Sequence, residues 1–168
     1  MKDKTVIAIL FVLIAIVFIF KRTKKVITNA INMTRGYRNN NFGNIRLTFD
    51  KNGKQTFWKG EIQGTDKAFK TFKDAAYGYR AIFALLKEYI SKGYNTIDKI
   101  INRYAPSSEN NTNAYISTVC KRSGIVKDAK IAASDLVTLS KIVSAISFVE
   151  NGIPANEVDI ENGKKLLM

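Results

Sequence analysis

Histidine is absent from all 168 residues. Its absence removes histidine zinc sites and the Ser–His and Cys–His pairs that activate nucleophiles. The one cysteine, Cys120, permits no internal disulfide and no cysteine zinc knuckle, so cysteines do not report the redox compartment. Acidic residues are scarce as well: 14 Asp and Glu face 27 Lys and Arg, for a formal net charge of +13. Any catalysis must rest on carboxylates, lysine, tyrosine or a hydroxyl. Among hydrolases this points to glycosidases, which work with carboxyl groups alone. No metal or cofactor is implied. The excess of positive charge draws the chain to polyanions such as nucleic acid, anionic lipid or acidic wall polymers, and does not choose among them.

What is present begins with an unbroken apolar run, Val6 to Phe20. Lys2 and Lys4 precede it, and Lys21, Arg22, Lys24 and Lys25 follow. As a helix it would span roughly 23 Å at 1.5 Å per residue, short of a hydrocarbon core of about 30 Å, with Lys4, Lys21 and Arg22 snorkelling to extend the fit. A cleaved signal wants small residues just after its apolar run, and here Phe18, Ile19 and Phe20 lead into Lys21 and Arg22. The expectation is an uncleaved transmembrane anchor over residues 1–24, in contact with lipid through residues 5–20. Residues 25–34 then form a linker or helix extension, and residues 35–168 a single domain. The larger basic cluster follows the span, which in a cell membrane favours a cytoplasmic C-terminal domain but does not constrain a virion membrane in the same way.

Along the domain, Asn39, Asn40, Asn41, Gly43 and Asn44 form a turn-rich cluster. Ile45–Phe49 alternates and is followed by Asp50-Lys51-Asn52-Gly53, a hairpin signal with Thr56–Trp58 as return strand. Residues 60–66 read as loop and Ala68–Phe72 as a third short strand. Helices follow: one capped by Asp74 and running to about Ser91, one from Thr96 to Tyr104 before Pro106, one from Asn111 to Arg122 before Gly124, and one from Asp135 to Glu150 before Gly152. The expected fold class is α+β, mainly α, a helical lobe against a small β-hairpin lobe with a natural cleft between them.

On a wheel of the last of these helices, Leu136, Leu139, Ile142, Val143, Ile146 and Val149 share one face, and Glu150 falls inside it. A carboxyl group there is partly desolvated and sits at the negative end of the helix dipole; both favour its neutral form. A carboxyl group with a raised pKa is what a glycosidase uses as general acid. The bland alternative is a frayed helix end with a solvated glutamate. Hydrolysis usually needs a second carboxylate, for which Glu61 and Asp66 in the β-lobe are candidates, although each taken alone reads as structural. Glu109 lies in a polar connection where solvation or helix capping would explain it. Trp58 suits either a sugar platform or a small core, and Tyr104 and Tyr115 either a sugar groove or the helical core.

The segment Arg35-Gly36-Tyr37-Arg38-Asn39-Asn40-Asn41-Phe42-Gly43-Asn44-Ile45-Arg46 resembles the RGIRNNNPGNIR opening of small phage and prophage muralytic proteins. In order there follow Trp58-Lys59-Gly60 for their WxG, Asp66 with Phe69 and Phe72 for DxxFxxF, Gly78-Tyr79-Arg80-Ala81, then Tyr104-Ala105-Pro106 through Glu109, Asn110, Thr112, Tyr115 and Ile116 for WAPxxENxTxxYI, and finally Glu150-Asn151-Gly152 for ENG. The resemblance covers residues 35–154. Phe42 stands in place of their proline and Tyr104 in place of their tryptophan.

That family is lysozyme-like, so the resemblance implies a lysozyme-like fold and wall degradation by a phage. Its ENG helix is similar to the catalytic-acid helix of lytic transglycosylases and glucosaminidases, in an order that looks circularly permuted. By this resemblance Glu150 is the general acid/base, with Asn39, Asn40, Asn41, Asn44, Trp58, Tyr104, Glu109, Asn110, Tyr115 and Asn151 as substrate-binding candidates. The implied activity is cleavage of peptidoglycan strands by a lytic transglycosylase or a muramidase- or glucosaminidase-type hydrolase. Together with the anchor it places the protein in the internal membrane of a virion, beside other virion or capsid proteins, for host wall penetration or lysis. The alternative is a non-enzymatic structural membrane protein of the virion that keeps the fold. A nucleic-acid binder ranks last, because no helix concentrates Lys and Arg on one face.

Overall fold

A computed structural model of the chain describes residues 12–13, 15–24 and 34–167. It comprises two compact units, Met1–Thr34 and Arg35–Met168.

In the first unit, residues 12–13 and 15–24 are helical. Among the described residues, no helix is long and apolar enough to cross a membrane. This overturns two expectations: the transmembrane helix in the fold class and the single-pass, membrane-anchored localisation. Length and charge explain the correction. The stretch 15–24 covers about 15 Å, half of a hydrocarbon core, and it ends in Lys21, Arg22, Thr23 and Lys24. Residues 5–11 of the expected lipid-contacting segment and residues 25–33 of the expected linker lie outside the described residues.

The second unit is mainly helical with two small sheets. It opens with a one-turn helix, α1 (Arg35–Arg38), and then an asparagine-rich loop. Strands β1 (Thr48–Phe49) and β2 (Gln55–Thr56) pair antiparallel, with Thr48 opposite Thr56. The turn between them is held by Asp50, whose Oδ1 accepts the N–H groups of Asn52 and Lys54 at 2.8 and 2.9 Å. Strands β3 (Glu61–Ile62) and β4 (Thr71–Phe72) form the second antiparallel pair. β3 falls where the sequence reads as loop, because a two-residue strand carries no alternation to detect.

The helices are α2 (Ala75–Ser91), α3 (Ile97–Tyr104), α4 (Thr112–Ser123), α5 (Leu136–Asn151) and α6 (Glu157–Lys165). Asp74, Thr96, Asn111 and Asp135 each cap a helix by accepting the backbone N–H three residues on, at Tyr77, Lys99, Ala114 and Thr138. This local chemistry makes the four starts readable from sequence. α6 is not readable in the same way: it buries only Ile160 and Gly163 and so has no apolar stripe.

The core forms where α2, α3, α4 and α5 turn their apolar faces inward. Ile82, Phe83 and Leu86 of α2, Ile100 and Ile101 of α3, Val119 of α4, and Leu139, Ile142, Val143 and Ile146 of α5 are all fully buried. Each such side chain contributes roughly 1.5–3 kcal/mol of burial free energy. α2 also receives the asparagine loop at Gly78, where an added Cβ would stand 1.8 Å from the Asn40 carbonyl oxygen. That close approach fixes the loop against the helical body. The Phe42 ring stacks on Tyr79 at 4.3 Å, so the aromatic at this position serves as a core plug.

Candidate active site

α5 runs through the core and delivers Glu150 at its last turn into a cleft between the helices and the β-lobe. The cleft has a volume of about 410 Å³, and the asparagine loop, β1, Phe69, α2, α3 and the loop after α3 contribute to its walls. Glu150 is half-buried. Its Oε2 accepts from the side-chain amide of Asn44 at 2.9 Å, and its Oε1 accepts from the Tyr115 hydroxyl at 2.8 Å. Burial pushes the Glu150 carboxyl above the ordinary glutamate range, and these two hydrogen bonds pull it part of the way back. Both donors are neutral, so the carboxyl group receives direction from them without an ion pair that would lock it ionised.

The donors are themselves constrained. Burial, then the neighbouring Tyr104 and Glu150, holds the Tyr115 phenol well above its usual range, so it stays a proton donor. Tyr104 is shifted the same way by burial and by Glu150, and its hydroxyl donates to the Gly43 carbonyl. The two rings meet edge to face at 6.2 Å. Asn44 has a left-handed backbone with φ 44°, a conformation asparagine tolerates better than most residues. Its amide N–H is bonded to the Asn41 carbonyl at 2.9 Å.

The asparagine cluster divides by role. Asn41 is fully buried; its Nδ2 donates to the Ile45 and Lys70 carbonyls, and its Oδ1 accepts the Ile45 N–H. It therefore staples the loop that presents Asn44. Asn39 donates to Asp66 and Asn40 to the Phe72 carbonyl, both joining this loop to the β-lobe. Asn151 is buried and donates to the Phe42 and Ser147 carbonyls at 2.9 Å each. An added Cβ at Gly36 would stand 2.1 Å from Asn151 Oδ1, so α1 is pressed against this amide.

The acidic candidates separate just as clearly. Glu61 and Lys70 form an ion pair of 2.7 Å whose side chains are both 0% exposed. Glu61 also accepts from the Trp58 N–H and from Gln55, and the Lys70 ammonium lies 5.1 Å from the Trp58 ring. Trp58 and Glu61 thus belong to the interior of the β-lobe. Asp66 closes a turn by accepting the N–H groups of Ala68 and Phe69. The Ala68 contact leads the causes that hold its carboxyl below the usual range, with Asn39, Phe69 and Arg35 adding to it. Neither Glu61 nor Asp66 lines the cleft. Glu109 does, with Asn110, Tyr104 and Asn44.

Sequence reasoning passed over Arg46, Tyr89 and Phe69 as cleft residues. Arg46 and Phe69 lie within the quoted motifs, and the isolated β-bridge between them is what brings the two motifs together. Tyr89 reads as core from helical spacing, and its half-buried ring does border the core while reaching the cleft. Among the described residues, no group of three or more His, Cys, Asp or Glu side chains is placed to hold a metal ion.

No protein-family model matches the chain. Over 120 residues it is 38% identical to protein P5 of Pseudoalteromonas phage PM2, a match that covers 70% of this chain and 71% of that protein. The chain belongs to the protein P5 family. The relative is a phage protein, and the family assignment links this chain to phages at that level.

Proposed function

We propose that the protein cleaves the glycan strands of peptidoglycan, with Glu150 as the general acid. One observation carries this reading: a half-buried carboxyl group with a raised pKa opens into a cleft and is aimed by two neutral donors, Asn44 and Tyr115. A carboxyl group raised in this way keeps its proton to higher pH than an ordinary glutamate and can deliver it to a glycosidic oxygen. The motif resemblance to phage muralytic proteins and the phage relative support the substrate class.

In the proposed reaction Glu150 protonates the leaving oxygen as the glycosidic bond breaks. In a lytic transglycosylase, the resulting Glu150 carboxylate takes the proton of the muramyl 6-hydroxyl as that oxygen attacks C1. This closes a 1,6-anhydro ring and regenerates the acid without a second carboxylate. In a hydrolase, water attacks instead and a second carboxylate directs it. Glu109 is the acid that shares the cleft with Glu150, and this placement favours it over Glu61 and Asp66 for that role. The net charge of +13 would hold the enzyme on an anionic wall, more weakly as salt is raised.

The test is wall clearing by the full chain beside its Glu150→Gln variant, with mass spectrometry of the released fragments. The proposal expects clearing by the unmodified chain and a loss on the order of 100- to 10,000-fold in the variant. Anhydro ends identify a transglycosylase and plain reducing ends a hydrolase. Equal clearing by both proteins removes Glu150 from the role. Absence of clearing by a folded chain returns the protein to a structural role.

A further inference from the structure

Among the described residues lining the cleft, Arg46 is the cation, and Glu109 and Glu150 are the acids. Glu150 is bonded to neutral donors. Arg46 Nη2 instead reaches Glu109 Oε2 at 2.9 Å from the opposite side of the cleft mouth. One partner belongs to the strand-like segment before β1 and the other to the loop between α3 and α4, so the ion pair bridges the two walls. Both side chains are well exposed, at 65% and 57%. An exposed pair of this kind contributes little stability and exchanges readily with competing charges.

Phe69 gives the Arg46 side chain a second contact. The Arg46 backbone bridges Phe69, and its guanidinium lies 5.3 Å from the centre of the Phe69 ring. Arg35 lies 4.5 Å from the centre of the same ring. The result is a guanidinium placed beside the Phe69 ring at the cleft mouth, paired with an exposed carboxylate. A guanidinium fork recognises a carboxylate through two parallel hydrogen bonds.

We infer that Arg46 reads a carboxylate on the substrate glycan, and that Glu109 holds this carboxylate's position until substrate binds. Resting on the glycan-strand reading above, the inference makes the preferred substrate a strand with a free lactyl carboxylate, that is, one with muramic acid residues that bear no stem peptide, since a stem peptide holds that carboxyl as an uncharged amide. Uncharged strands of N-acetylglucosamine would occupy the same cleft without that contact. The substrate displaces Glu109 from Arg46, and Glu109 turns to solvent or toward the reacting bond.

The experiment uses the full chain carrying Glu150→Gln, so that bound saccharide is not turned over. Affinity is measured for chitotetraose and for a peptide-free tetrasaccharide of alternating N-acetylglucosamine and N-acetylmuramic acid. The expected result is roughly tenfold tighter binding of the muramyl tetrasaccharide. Adding Arg46→Gln should erase this preference while leaving chitotetraose affinity unchanged. Adding Glu109→Gln instead should widen it, because the internal competitor is gone. A muramyl preference that survives Arg46→Gln overturns the inference, as does a proportional loss for both saccharides. Chitotetraose binding without any muramyl preference sinks the inference alone. Failure of the folded protein to bind either saccharide sinks the glycan reading and this inference with it.

Discussion

The Asn44 side-chain amide donates to Glu150 Oε2 at 2.9 Å, joining a loop near the start of the folded unit to a helix end 106 positions later. The contact lowers the affinity of Glu150 for its proton, against the larger and opposite effect of burial. Replacing Asn44 by glycine keeps the left-handed backbone accessible, since glycine carries no Cβ penalty there, and deletes only the amide. Under the proposed mechanism, the alkaline limb of the kcat/KM profile reports loss of the Glu150 proton. In Asn44→Gly this limb should move to higher pH, with activity at the optimum falling on the order of tenfold. A limb that stays in place, with the variant folded, would mean that Asn44 does not act through Glu150.

Tyr115→Phe removes the other donor while keeping the ring. The Tyr115 hydroxyl is also among the influences that lower the Glu150 pKa, so the alkaline limb should again move upward. Deleting one hydrogen bond to a carboxyl group should cost about 1–3 kcal/mol in unfolding free energy, measured by urea denaturation above neutral pH. If both donors act on the same carboxyl group, the double variant with Asn44→Gly should depart from additivity.

Part of this site is legible in the sequence. Asp74, Thr96, Asn111 and Asp135 announce their helices because capping depends on a few neighbouring residues. Glu150 stands out because it interrupts an apolar face, and that face does enter the core. The asparagine cluster could not be divided in the same way. Asn41 and Asn44 are three positions apart in one loop, yet the first is a buried staple and the second faces the carboxyl group. That difference is set by contacts with Lys70 and Glu150, far away in sequence. Glu61 and Trp58 admit a functional reading in sequence because the buried Lys70 that contacts both lies nine or more positions away. The apolar run after Lys4 misled for another reason: a run of apolar residues in sequence does not fix helix length, and among the described residues no helix is long and apolar enough to cross a membrane.

The Lys70–Glu61 pair makes a prediction about stability that is independent of any activity. Both side chains are out of solvent, so Lys70→Met would strand a buried carboxylate at a cost of about 3–5 kcal/mol. The double variant Lys70→Met with Glu61→Leu removes both charges and should recover most of that loss. Equilibrium unfolding of the two variants measures this. Equal destabilisation by the single and double variants would show that the Gln55, Thr56 and Trp58 contacts of the pair, rather than its charge balance, support the β-lobe.

Glu150→Gln should be more stable than the unmodified chain at pH values above the raised pKa of Glu150, even as its proposed activity is lost. The sign follows from linkage. The folded-state pKa of Glu150 is raised from the ordinary value of 4.5, so the native state binds this proton more tightly than the unfolded state does. Stability therefore falls as pH rises from the unfolded value through the raised folded value, and the full burial penalty is present above that window. Glutamine never ionises, and its carbonyl can still accept from Tyr115. The difference in Tm between Glu150→Gln and the unmodified chain should be smallest near pH 4, grow through the window, and level off once Glu150 is ionised in both states. A Tm difference that does not vary with pH would show that the carboxyl group is not held in its neutral form. That outcome would also remove the basis for assigning Glu150 a proton to give.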